Sequence, residues 1–394
     1  MKKIALALLL FTTLSAVAQN KPYITKIYDF CPAPGQFVNE LPEWYEGDTK
    51  ADVLQRVAES LCGYEKGART IIADGGISLG AYGGYVVFGF DHPVVNLPGE
   101  YDFQIFGNSF QADSSSTAGG SSEPGIVLVS RDVNGNGLPD DPWYELAGSE
   151  YGNTATQHNY HVTYYRPDEN KTPTPQPPFI TDDSYIKYTC NTPEQPSGYI
   201  NHLSFHTQSY WPGWLDTDTL GFSGTRLPDN ASDESGRGTY WVQRFYGWGY
   251  VDNRLDYDYG YGVNDKPLQN GMNLGFKIEW AVDAEGNRVN LPTVDFIKVY
   301  NAVQQSCGWL GETSTEVMGA IDIHPDAVVP DPSELKGDIN NDRQVDVADM
   351  NILINIILGN DSAENYGSRA LINDNDTVVD VADLNELLNI MLGK

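Results

Sequence analysis

Oxygen-bearing side chains recur at fixed intervals near the C-terminal end of this 394-residue chain. Counted from Asp338, they stand at positions 1 (Asp338), 3 (Asn340), 5 (Asp342), 9 (Asp346) and 12 (Asp349). The peptide carbonyl of Gln344 is available at position 7. Alternate residues of a tight turn point inward, so this spacing wraps oxygens around a hard cation, and Ca²⁺ suits it. Arg343 holds the turn position, where Gly takes a positive φ more readily. The unit then repeats: Val-Asp-Val-Ala-Asp at 345–349 returns at 379–383. In the second copy Asp374, Asp376, Asp380 and Asp383 fall at positions 3, 5, 9 and 12, but Ile372 falls at position 1. Weaker Ca²⁺ binding is expected there. Each loop runs into an apolar stretch with helical spacing, and the reading predicts Ca²⁺-dependent folding of 337–394.

A third acidic loop lies at 132–141. Asp132, Asn134, Asn136 and Asp140 occupy positions 1, 3, 5 and 9, with Gly137 at 6. Trp143 stands where the last acid of a Ca²⁺ loop belongs, and Pro139 is foreign to an EF-hand. A structural turn rich in Asn and Gly competes with metal binding here.

Other chemistry is sparser. His202 and His206 are four apart in a strand-like context, which offers two zinc ligands at most and no third. HExxH, phosphate-loop and dinucleotide fingerprints are missing from the sequence, and Gly76-Ile77-Ser78-Leu79-Gly80 has GxSxG spacing without the following helix that a nucleophile elbow needs. The Gly-rich stretch 76–84 precedes no helix, so it reads as a close strand approach. Glu123, Glu145 and Asp91 are the acids in the most structured contexts, yet sequence does not set the separation a glycosidase pair needs. Aromatic clusters at 210–214, 240–250 and 256–261 are the better clue. Rings in Gly/Pro-rich turns beside Asp, Asn and Arg suit stacking on a sugar face or a flat macrocycle. Trp211, Trp214, Trp248, Tyr250 and Tyr257 are the expected ligand contacts.

The composition sets bounds. Asp and Glu number 54 against 24 Lys and Arg, a net charge of −30. Phosphate-rich partners need a basic surface, so nucleic acid and anionic lipid are excluded. Residues 337–394 hold 11 of the acids and 3 of the bases. Residues 1–18 read as a signal peptide: Lys2 and Lys3, an apolar run, then Ala16-Val17-Ala18. Export follows as the expectation, with no membrane span. Cys31, Cys62, Cys190 and Cys307 allow three two-bridge pairings, or remain buried thiols.

The elements that must position these residues are mostly strands. Apolar or alternating runs at 85–90, 103–106, 126–129, 159–165, 240–245, 274–280 and 294–300 are bounded by turn residues. One helix is expected at 48–63, with Thr49 and Asp52 as a capping box and Gly63 as a stop. The expected fold is mainly β, a sandwich of jelly-roll type over 19–323. A Pro-rich linker at 324–336 joins it to a small helical unit at 337–394.

The duplicated loop and helix at 337–392 resemble a type I dockerin, an EF-hand-related module. The resemblance implies Ca²⁺ and a cohesin-like docking partner. The segments 83–91, 102–110, 123–125, 132–151, 295–300 and 311–317 resemble an uncharacterised family of secreted and cell-surface proteins of Bacteroidetes-type bacteria. That resemblance covers about 22–320 and implies surface capture of a nutrient such as a glycan or a corrinoid. It supplies no catalytic residues. Three functions follow as expectations: a ligand-binding protein, a dockerin-targeted carbohydrate hydrolase for polysaccharides, or an adhesive surface component.

Overall fold

The computed structural model describes residues 20–63, 76–111, 119–254, 275–329, 335–340, 344–373 and 378–392. The chain is mainly β, built from several antiparallel sheets. At its centre lies a six-stranded sheet. Its strand order is Lys26–Cys31, Tyr85–Gly89, Phe296–Asn301, Gly125–Ser130, Trp143–Leu146 and Ala281–Val282.

This sheet is covered on both faces. Val127, Val129, Ile297 and Val299 point to one side, where Phe103, Ile105 and Phe276 of a smaller sheet join them. Ile126, Leu128 and Tyr300 point to the other. There they meet Tyr160, Val162, Tyr164, Ile186, Ile200 and Phe222. The second side is a four-stranded sheet in the order Ser197–Leu203, Ile180–Cys190, Gln157–Tyr165 and Thr219–Arg226. Two-sided burial explains why the central strands read as continuous apolar runs rather than as alternation.

Helix α1 (Lys50–Leu61) forms where the capping box predicts it. Thr49 accepts from the Asp52 backbone N–H, and Asp52 accepts from the Thr49 backbone N–H at 2.8 Å. Its buried stripe is Val53, Val57 and Leu61, each worth about 1.5–3 kcal/mol of burial. Gly63, with φ +70°, lets the chain turn away.

Two expectations are corrected. The run 274–280 is not one strand: Gly275–Phe276 pairs, then Ile278–Trp280 turns as a 3₁₀ helix. Asp102 causes the break, because its Oδ2 captures the Ile278 N–H at 2.7 Å and takes it out of any ladder. Two long strands, Ile180–Cys190 and Thr219–Arg226, lie where no strand was expected. No disulfide forms: all four cysteines are thiols. Burial pushes Cys31 up to about 11 and Cys307 up to about 12, which suppresses thiolate chemistry.

The glycine run at 80–84 is a close backbone approach. A Cβ on Gly84 would lie 1.8 Å from the Leu79 carbonyl oxygen, and one on Gly80 would lie 1.9 Å from that of Ala33. Helices α2 (Val347–Ile357) and α3 (Val381–Met391) pack on each other around Ile339, Leu353, Ala370, Ile372 and Leu387.

Candidate ligand cleft and metal-ligating clusters

The C-terminal repeat is anchored by its acids. Asp346 is the N-cap of α2 and Asp349 its N3 residue, a reciprocal capping box; Asp380 and Asp383 do the same for α3. Asp349 is fully buried, and its Oδ1 also accepts the N–H groups of Ile339 and Asn340 at 2.8 and 3.1 Å. Asp383 accepts those of Ile372 and Asn373 at 2.7 and 2.8 Å. Each acid therefore pins its loop to its own helix. Asp338 is fully buried, while Gln344 is exposed. Asp342, Asp374 and Asp376 lie outside the described residues.

The structure also shifts the register of the second loop. Ile339 and Ile372 are equivalent: both are core residues, and both donate to the acid of their own helix. Ile339 precedes its acid by 10 residues and Ile372 by 11. Ile372 thus matches position 2 of the first loop, and the second loop is one residue longer between its anchors.

The loop 132–141 is exposed and closed by its own side chains. Asp132 accepts from the N–H groups of Asn136 and Gly137 at 3.1 and 2.8 Å. The Asn134 and Asn136 amides both donate to Asp140, at 3.0 Å or slightly more. Gly135 and Gly137 both adopt φ +71°. These are the bonds of an Asn/Gly turn.

The aromatic candidates are dispersed. Trp211 and Tyr250 are buried in the core between the sheets, and the Tyr250 hydroxyl accepts the Glu150 N–H at 2.9 Å. Their rings face inward, which corrects the expectation that both contact a ligand. Trp214 stacks on Phe30 at 6.0 Å and packs on the core. Trp248 is 37% exposed beside Trp280. Tyr257 lies outside the described residues. The two histidines do not converge either. His202 bonds Thr181 and Gln208, whereas His206 lies 3.5 Å from Glu40, beyond the strand's end.

A different set of residues does converge. A cleft of about 420 Å³ opens beside the four-stranded sheet. Tyr160, Tyr188, Tyr199 and Trp241 line it, with Arg226, Asp229 and Glu312. Arg226 pairs with Asp229 at 2.5 Å. Glu312 Oε1 accepts the Gln36 N–H at 2.7 Å. Three buried polar atoms of these lining residues have no partner: Glu312 Oε2, Arg226 Nε and Trp241 Nε1. Such orphans are costly unless something completes them. The three atoms lie within the cleft wall, sealed from solvent, while the Tyr188, Tyr199 and Trp241 rings keep exposed surface and Tyr160 is buried.

Burial raises the Glu312 carboxyl to about 8. Its unfolded value is near 4.3, so the folded state holds the proton more tightly. That stabilisation is complete below about pH 4 and is lost as pH rises through about 8. Glu312→Gln mimics the protonated form. The Tm difference between the variant and the wild type is expected to be near zero at pH 4 and to grow in the variant's favour up to pH 9. A pH-independent difference in thermal melts would refute the buried-acid account.

A second cleft of about 250 Å³ holds Glu145, His158 and Lys298. Burial raises Glu145 to about 7, although its Oε2 accepts the Thr225 hydroxyl at 2.5 Å. Elsewhere, Glu123, Asp252 and Glu316 each bring a carboxylate oxygen within 4.8 Å of the others, an arrangement that could hold a metal ion. Burial raises Glu316 well above its ordinary value, and the Glu123 charge adds to the effect.

Sequence reasoning singled out Glu123 and Glu145 as structured acids, and 240–250 as aromatic. It missed Glu312, Arg226 and Asp252. The run Glu312-Thr313-Ser314-Thr315-Glu316 is wholly polar in type and wholly buried in fact. Nothing local in such a run reports burial.

No protein-family model matches this chain. No curated protein matches it significantly either. The dockerin and cell-surface resemblances therefore rest on the residues themselves.

Proposed function

We propose that this is an exported, cell-surface-associated ligand-binding protein whose C-terminal dockerin-like unit, loaded with calcium, docks it to a cohesin-like partner. The region 19–323, read as a β-sandwich of jelly-roll type, carries the binding site. The observation that supports the reading best is the aromatic cleft itself. A sugar has apolar faces for rings and hydroxyls that both donate and accept, which suits an aromatic cleft walled by polar side chains. The cleft volume of about 420 Å³ suits one or two sugar units and is too small for a whole corrinoid. We therefore favour a glycan over a corrinoid.

Thermal-shift titration of the full chain against a panel of mono- and oligosaccharides tests this. A ligand should raise Tm with concentration by mass action. Trp241→Ala is expected to weaken that ligand at least about tenfold, the loss of one well-stacked ring. Trp248→Ala, outside the cleft, should leave affinity unchanged. Equal affinity in the Trp241 variant, or no saccharide that binds, would remove this reading.

One observation favours a hydrolase as the second reading. The same cleft holds a proton-retaining carboxyl, Glu312, and an ion-paired carboxylate, Asp229. Divergent carboxyl environments are what acid-base pairs require. Reducing-sugar release from polysaccharide, abolished in Glu312→Gln, would establish it over simple binding.

A further inference from the structure

We infer that Glu123, Asp252 and Glu316 form a buried site for a hard divalent cation, separate from the C-terminal loops. The three residues arrive from distant parts of the chain, and backbone groups hold them together. Asp252 Oδ1 accepts the Asn108 N–H at 2.7 Å, and its Oδ2 accepts the Glu316 N–H at 3.0 Å. Glu123 Oε1 accepts the Ser314 N–H and the Gln243 amide, both at 3.3 Å. Their carboxylate oxygens meet within 4.8 Å.

The observation that points to a ligand is the third carboxylate. Glu316 is only 4% exposed, and its Oε1 has no hydrogen-bond partner. A buried carboxylate oxygen left bare costs several times what an ordinary hydrogen bond contributes. Among the described residues, no Lys, Arg or His forms an ion pair with Glu123 or Glu316. A cation between the three carboxylates supplies what the protein does not. The donor set is all oxygen, which selects Ca²⁺, Mg²⁺ or Mn²⁺ over thiolate- and imidazole-seeking metals. Such an ion would clamp the Glu316–Val317 strand to the segments on either side of it, a structural role.

Metal counting on the full chain decides the matter. The chain is stripped with chelator, then titrated with Ca²⁺, Mg²⁺ or Mn²⁺ and examined by native mass spectrometry. The C-terminal loops contribute equally to wild type, Glu316→Gln and Glu123→Gln, so the difference in stoichiometry among these three is what matters. Wild type is expected to hold one more ion than Glu316→Gln and one more than Glu123→Gln. It should also show a metal-dependent rise in Tm of the β region that both variants lack. Asp338→Asn should keep that ion. Equal stoichiometry in wild type and in a folded variant, with all three metals, overturns the site and leaves a cluster that shares a proton. The two variants are independent, so one that misfolds leaves the other to decide.

Discussion

Asp349→Ala is expected to abolish the fold of the C-terminal unit while leaving the β region intact. Asp349 is fully buried and satisfies three backbone N–H groups, those of Ile339, Asn340 and Asp346, at 2.8–3.1 Å. Hydrogen bonds to a charged acceptor are worth about 1.5–3 kcal/mol each, so the loss is roughly 4 kcal/mol or more. Among the described residues, the unit's apolar core has five fully buried side chains, two of them on the paired helices. A unit this small has about that much stability in total. Hydrogen exchange on the full chain reads the outcome. Amide protection of α2 and α3 should collapse in Asp349→Ala, and equally in Asp383→Ala, at any Ca²⁺ concentration. Retained protection in Ca²⁺ would mean that the acids serve the metal alone and do not anchor the loops.

Gly84→Ala should destabilise the β region by at least about 3 kcal/mol, a Tm drop of roughly 6 °C or more. The new Cβ would sit 1.8 Å from the Leu79 oxygen and 2.3 Å from the Ala33 nitrogen. Those two atoms already bond each other at 3.0 Å, so the methyl group would have to break that bridge. Neither atom belongs to a side chain that can swing away. Gly152→Ala is the control: its Cβ would meet nothing within 4 Å, and a change within about 0.5 kcal/mol is expected. Matching melting curves for the two variants would show that the strand approach at 80–84 is looser than described.

Legibility differed by element, for physical reasons. The central strands were readable because burial on both faces leaves runs of apolar residues, as in Ile126, Val127 and Val129. Helix α1 was readable because a capping box and a 3.6-residue stripe are local signals. Ile180–Cys190 was not, since its outer face carries Thr181 and Lys187 and it contains an Asp pair, Asp182 and Asp183. Asp182 is buried yet ionised: its carboxyl is drawn well down despite burial by Lys171, 2.7 Å away, and by Thr174. Such partners lie outside any local window of sequence.

The aromatic clusters show the same division more sharply. Density of rings is visible in sequence, but the direction each ring takes depends on sheet pairing. Trp211 and Tyr250 went inward, whereas Trp241 came to line a cleft with Glu312 and Arg226. Those contributors are 86 residues apart along the chain at the widest, from Arg226 to Glu312. Only closure of the sheets makes them neighbours.

By itself, then, the sequence determined what local spacing can determine. It set the acid spacing within each C-terminal loop, the capping box of α1 and the apolar strands of the centre. These depend on residues within a dozen positions of each other, where backbone geometry alone dictates who faces whom. The tertiary structure decided which acids stay unpartnered, which thiols and rings are buried, and where Ile372 falls in its loop. Each of those is a balance between desolvation and partners brought from distant strands, and that balance exists only once the chain has folded.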